Sequence, residues 1–330
     1  MKAIFLGIIA SMFFSLTFIL NRSMELDGGS WYWSSSLRFF FMVPLLWCIV
    51  WLRGGIKPLF LQMKKQPLYW VIWSFFGFVL FYAPITFAAS FGPGWLVAGT
   101  WQITIVAGLL LSPLFYERSQ IGSEKRNVRQ TIPFRSLWPS LIILVGVAFI
   151  QFQQSEHMPV SILLLSIIPI IVAAFSYPLG NRKMLEHLGG KIDTFQRVLG
   201  MTLATLPFWF VIASIGFIQE GLPNSGQVLQ SFMVAIFSGV IATVLFFWST
   251  DLVRESPQKL AAVEATQSGA VMFALIGEIL LLSARLPSSW SLIGLGLIIM
   301  GMLIHSFMSI GLKSPKVKNA TNHGNETKLS

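Results

Sequence analysis

The chain has 330 residues, 55% of them hydrophobic and 11% charged, with 23 Lys and Arg against 13 Asp and Glu. Soluble domains carry roughly 25% charged residues, so a water-exposed globular surface is excluded. The apolar residues fall in runs of about 17 to 25, the length that a bilayer core asks of a helix, and the chain reads as an all-α polytopic membrane protein of about ten spans.

Span one, at 3–20, follows Lys2 and has no small-x-small cleavage pattern after it, so it reads as a retained helix and not as a signal peptide. Gly7, Ser11 and Ser15 recur every four residues along it, which suits close contact with another helix. Asn21-Arg22-Ser23-Met24 closes this span, and Gly28-Gly29 follows. Span two, 34–52, contains Arg38 and Cys48; as the single cysteine, Cys48 rules out an intrachain disulfide. Spans three, four and five are placed at 68–89, 94–116 and 136–153, with Trp95 and Gln102 on one face of the fourth.

Span six, 159–180, runs into Asn181-Arg182-Lys183-Met184, then Gly189-Gly190 and Arg197. Spans seven to ten follow at 194–218, 228–250, 258–282 and 289–311. Span nine carries Glu264, Gln267, Ser268 and Glu278 within one stripe of about 100°, and span ten has Gly294 and Gly301 at packing positions. Residues 313–330 form a polar tail.

Almost all Lys and Arg lie at alternate ends of these spans, beginning with Lys2 and ending with Lys313, Lys316, Lys318 and Lys328. Arg22, Arg38 and Arg285 are the exceptions. The positive-inside rule then places both termini in the cytoplasm, with an even number of helices in a plasma-type membrane. The net charge of +10 is accordingly an orientation signal, and nucleic acid is not expected as a partner. The glycosylation triplets at Asn319 and Asn325 fall in the inside tail, away from the modifying machinery.

The two halves repeat. Asn-Arg-x-Met, a Gly-Gly pair and an arginine recur in the same order, and Trp101-Gln102 in span four matches Thr266-Gln267 in span nine. With five spans each, 1–155 and 156–312 would enter the membrane in opposite directions, the inverted repeat of secondary transporters.

Ionisable groups inside spans are costly to insert, which singles out Arg38, Glu264 and Glu278. At about 1.5 Å per residue, Gln102 and Gln267 each lie about 12 Å from opposite faces, near the midplane. With Trp95 as an aromatic wall, Glu264, Gln267 and Gln102 suggest a substrate site for an amphipathic or cationic organic molecule. Glu264 is the expected proton-coupling carboxylate, with a structural bond to Lys259 or Arg254 as the alternative. Arg38 and Glu278 are the expected outer-side ion pair, with snorkelling as the simpler reading of Arg38. His157, His187 and His305 do not cluster, so no metal is expected, and no phosphate loop or other cofactor motif is present.

Together with the closing run GAVMFALIGEILLLSARLPSSWSLIGLGLIIMGMLI, this layout resembles the drug/metabolite transporter superfamily, and within it the multidrug resistance efflux branch related to the small four-span pumps. The resemblance implies alternating access and efflux. The small pumps use a glutamate in their first span, where this chain has Ser11, Ser15, Thr17 and Asn21; Glu264 is the substitute that the sequence offers. The expected function is export of a small molecule in exchange for protons. The alternatives are an uncoupled metabolite exchanger or, in another class, a membrane enzyme or structural protein. Monomer and homodimer both stay open.

Overall fold

A computed structural model describes residues 2–121, 124–132, 134–155 and 159–311, and its architecture is nearly all helical. Helices α1 (Lys2–Leu26) and α2 (Trp31–Leu52) are joined through Gly28, whose φ of +73° favours glycine and lets Gly29 N–H return to the Met24 carbonyl at 2.7 Å. The short α3 (Ile56–Lys65) lies on the surface, burying only Leu59. Next come α4 (Pro67–Ala89) and α5 (Gly94–Leu110), then α6 (Phe134–Ser155), α7 (Val160–Leu188), α8 (Thr194–Glu220) and α9 (Ser225–Asp251). The last two are α10 (Pro257–Ala265, continuing as Gly269–Leu281) and α11 (Ser289–Gly311).

Among the described residues, seven helical segments are long and apolar enough to cross a bilayer. Three shorter apolar helices, Gly94–Leu110, Trp138–Phe152 and Ser289–Ile304, occupy the positions expected for spans four, five and ten. Span four is shorter than the 94–116 expected, because Pro113, lacking an N–H, sits in a 3-10 turn over Ser112–Leu114. An antiparallel hairpin then departs from the all-α expectation. Strands β1 (Tyr116–Ile121) and β2 (Glu124–Arg129) pair Tyr116 with Arg129 and Ile121 with Glu124. This stretch is rich in charge and has no apolar face at helical spacing, so a helix here would have nothing to bury.

The bundle buries polar side chains within an apolar core and also turns large apolar side chains outward. Ser11, Ser15, Thr17 and Asn21 of α1 are buried, while Phe5, Ile8 and Met12 of the same helix point outward. Such a distribution suits lipid as the surrounding solvent. Helix α2 packs against α8, α6 against α11, α4 against α7, and α1 against both α9 and α10.

Small residues set the closest approaches. A Cβ on Gly146 of α6 would meet the Gly294 carbonyl of α11 at 2.6 Å, and one on Gly294 would meet the Gly146 carbonyl at 2.9 Å. Gly146→Leu is therefore expected to force the α6–α11 pair apart. Overpacking costs about 1–3 kcal/mol where side chains can yield, and here the obstacle is backbone. A fall in thermal stability in detergent is the readout, and an unchanged melting temperature would contradict this packing.

Two helices carry widened π-turns, Phe75–Val79 in α4 and Ala235–Ala242 in α9. Gly77 in the first lies against Gly180 of α7 so closely that a Cβ on Gly180 would meet the Gly77 nitrogen and the Trp73 carbonyl. In the second, Thr243 Oγ1 donates to the Ser238 carbonyl at 2.9 Å, satisfying an acceptor inside the widened turn.

Candidate substrate cavity

Helices α5 and α10 are both interrupted near their middles, at the two glutamines that the sequence singles out. Gln102 N–H turns to the Gly99 carbonyl (3.1 Å), and its own Nε2 takes up the Ala98 carbonyl at 2.9 Å. In α10 the break is a 3-10 turn, Thr266–Ser268, where Thr266 Oγ1 donates to the Val263 carbonyl at 2.6 Å. Side chains that re-satisfy freed carbonyls make broken helices tolerable inside a membrane. Gln267 is left free to donate to the Tyr177 hydroxyl at 3.2 Å.

Beside the α10 break lies a narrow cavity of about 30 Å³. It sits toward the end of the bundle where α7 and α9 finish and α8 and α10 begin, between aromatic walls from Tyr177, Phe246 and Phe247. Its polar lining includes Asn181, Gln267, Arg182, Glu264 and Arg197, with Thr104 and Thr250. Apolar walls with a few converging polar groups are the usual make-up of a small-molecule site.

Glu264 does not pair with Lys259 or Arg254. Arg182 of α7 donates from Nε to its Oε1 at 2.7 Å and from Nη2 to its Oε2, while Arg182 Nη1 reaches the Gly108 carbonyl of α5 at 2.8 Å. The pair ties three helices together beside the cavity. Arg197 of α8 is held similarly, by Asp251 Oδ1 (3.3 Å) and the Phe247 carbonyl (3.0 Å), and Thr194 Oγ1 donates to Asp251 Oδ2 at 2.8 Å.

At the other end of the bundle, Glu278 caps the start of α5. Its Oε1 accepts from Gly94 N at 2.6 Å and its Oε2 from Trp95 N at 3.2 Å, and it is 1% exposed. The N-terminus of a helix is the better partner for a buried carboxylate, since it offers free N–H groups and the positive end of the dipole. The expected ion pair between Arg38 and Glu278 is thus not formed. Arg38 does not snorkel either; it is buried, with its guanidinium 4.0 Å over the Tyr82 ring.

Of the expected site residues, Gln267 and Glu264 line the cavity. Gln102 is fully buried but bonded to its own helix, and Trp95 sits by Glu278 at the far end. The aromatic neighbours of Tyr177 are Phe81 (4.5 Å), Trp101 (5.5 Å) and Phe246 (6.2 Å). Tyr177, Arg182, Arg197 and Asp251 were not foreseen as site residues, although Arg182 and Arg197 stand in the repeated motif. Among the described residues, no group of three or more His, Cys, Asp or Glu could hold a metal ion.

Residues 1–310 match the family EmrE, described as "Putative multidrug resistance efflux transporter". The chain belongs to this EmrE family. Within reach of the EmrE family lie two bacterial relatives. "Uncharacterized protein YjlA" of Bacillus subtilis (strain 168) is 62% identical over 322 residues, covering 98% of this chain and 99% of that protein. A 42.1 kDa protein encoded in the 3' region of the intracellular alkaline protease of Shouchella clausii is 58% identical over 269 residues, 82% of this chain and 70% of that one. One solved crystal structure shares the fold at a TM-score of 0.63 and 13% identity, covering 94% of this chain and 99% of its own. Family membership and the apolar helices together make this EmrE-family chain a multi-pass membrane protein of the efflux-transporter type.

Proposed function

We propose that the chain is a secondary transporter that exports small amphipathic organic molecules by alternating access between two inversely oriented five-span halves, exchanging them for protons. In this reading both termini lie in the cytoplasm, and the cavity stands at the cytoplasmic end of the bundle. The observation that carries this reading is the pairing of a cavity at one end of the bundle with a buried closure, Glu278 on Gly94 and Trp95, at the other. That is the arrangement a carrier needs to hold a site open to one side only.

Paired features support the two-half reading. Interruptions fall at Gln102 and at Thr266–Ser268, and π-turns in α4 and α9. Helix α1 packs on α9 and α10 as α7 packs on α4 and α5. For coupling, Arg182 and Glu264 form the exchangeable element: a proton on Glu264 would release Arg182 and loosen α7 from α10. The second reading, an uncoupled exchanger, is favoured by the way Arg182 already engages both oxygens of that carboxylate. A cationic substrate would have to displace Arg182, so the substrate's charge is better sought elsewhere in the bundle. Family membership favours a transporter over an enzyme.

Everted vesicles from cells overproducing the chain provide the test. A proton gradient, acid inside, should drive accumulation of an amphipathic probe above the level of vesicles lacking the protein, and a protonophore should collapse it. Accumulation that ignores the gradient would favour the exchanger, and no flux of anionic, neutral or cationic probes would end the transport reading.

A further inference from the structure

Arg38 and Arg197 stand at matching places in α2 and α8, each over an aromatic ring. Arg38 lies 4.0 Å from the Tyr82 ring centre and Arg197 4.4 Å from that of Phe247. One helical turn beyond Phe247, Asp251 neutralises Arg197. One turn beyond Tyr82 stands Thr86, whose hydroxyl turns back to the Tyr82 and Ala83 carbonyls at 3.2 and 2.9 Å. The first half therefore repeats the arginine and its ring and omits the acid.

Arg38 is 2% exposed and forms no hydrogen bond or ion pair with any described residue; its Nε and Nη1 are buried without a partner. Two other buried donors, on side chains that contact Tyr82 or Phe39, are also unused. Asn21 accepts the Tyr82 hydroxyl at 3.3 Å through Oδ1 and leaves Nδ2 without a partner. The Nε1 of Trp209, whose ring system stacks on Phe39 at 4.3 Å, is unpartnered as well. Gly239 lets Met42 pack close beside the guanidinium: a Cβ there would lie 2.6 Å from Met42 Sδ and 3.5 Å from Arg38 Nε. A buried charge without a counter-charge is costly enough to need a reason, and a buried cluster of donors lacking an acceptor points to an acceptor that comes and goes.

We propose that Arg38 binds the anionic group of the transported molecule, an organic monocarboxylate with an aromatic or other apolar body. This rests on the transport reading above. A guanidinium fork matches a carboxylate in a two-bond geometry, Asn21 supplies a further donor, and Tyr82, Phe39 and Trp209 supply apolar walls. One arginine balances one negative charge; a phosphate ester would bring a second charge with no partner among these residues.

The test uses phenylacetate, its neutral isostere phenylacetamide, and phenethylammonium as probes of the purified full-length protein. Binding is measured by calorimetry in detergent and flux in proteoliposomes. Phenylacetate is expected to bind at least tenfold more tightly than the amide, and Arg38→Gln to erase that preference while Arg38→Lys keeps part of it. Thr86→Asp recreates the arrangement at Asp251 and gives Arg38 an internal partner. It should erase carboxylate preference with the melting temperature unchanged or raised, which keeps the proposal falsifiable if Arg38→Gln fails to fold. Equal affinity for acid and amide, preference for the cation, or a preference that survives Thr86→Asp would overturn the anion site. Carboxylate binding without flux would uphold the anion site and contradict the transport reading; flux of the cation without carboxylate binding would do the reverse.

Discussion

Glu264→Gln is expected to abolish gradient-driven accumulation while leaving the protein folded and able to bind substrate. Glutamine keeps the shape and one acceptor for Arg182 but cannot exchange a proton. The bidentate pair, with Arg182 Nε at 2.7 Å from Oε1 and Nη2 on Oε2, becomes a single neutral-acceptor bond. Hydrogen bonds to charged groups contribute about 1.5–3 kcal/mol, so the tie between α7 and α10 should weaken, while gradient-dependent uptake falls to the level of vesicles lacking the protein. Arg182→Met separates structure from coupling. It strands a mostly buried carboxylate, 19% exposed, and loss of one partner of a buried pair costs about 3–5 kcal/mol, with the lower end fitting this partly exposed case. The double variant Arg182→Met/Glu264→Met should recover that stability without recovering coupling. If the double variant also accumulates substrate against a gradient, the pair is only a structural tie.

Glu278→Ala should open the opposite end. It removes both acceptors from the start of α5, Oε1 for Gly94 N at 2.6 Å and Oε2 for Trp95 N at 3.2 Å. At about 1.5–3 kcal/mol for a charged acceptor, the balance between closed and open at that end should shift by about tenfold or more. Phe18 is a suitable reporter, because it is buried and its carbonyl lies 2.6 Å from where a Gly94 Cβ would be. In a Cys48→Ser background, Phe18→Cys should react with a membrane-impermeant maleimide about tenfold faster when Glu278 is alanine. Glu278→Gln, which keeps one acceptor, should give a smaller increase. Equal labelling in all three backgrounds would mean that Glu278 does not hold this end closed.

The helices were legible because lipid imposes a simple pattern: long apolar runs, punctuated by charge. Of the polar stripe on α10, Glu264 and Gln267 line the cavity, whereas Glu278 caps α5 at the other end. What escaped the sequence were partnerships across helices. Arg182 reads as an ordinary inner-face basic residue until α7 brings it to Glu264, some eighty positions away. Glu278 and Arg38 share one end of the bundle and opposite signs, which made them look like a pair. Backbone N–H groups at Gly94 and Trp95, at the expected start of span four, compete for the carboxylate, and which side chain reaches a helix start leaves little trace in composition. The sequence reads Gln102 and Gln267 as amides of one cavity, but only Gln267 lines it; what they share is the interruption of a helix, a backbone property that residue identity alone does not state. The hairpin between Tyr116 and Arg129 was missed for the same reason: its pairing is a backbone property.

The widened turns in α4 and α9 bear on how such a bundle could move. A π-turn holds one residue more than the α-turn it replaces, so closing it rotates everything beyond by about 100° and shifts it by about 1.5 Å along the axis. Tyr82 follows the turn in α4, and Phe247 and Asp251 follow the one in α9. Each ring beneath Arg38 or Arg197 is therefore mounted on a rod that can be screwed by one step, with the hydrogen-bond ladder re-made on either side of it. In mechanical terms α4 and α9 are two threaded spindles, and a quarter-turn of either re-aims the residues facing an arginine while its far half stays seated in the bundle.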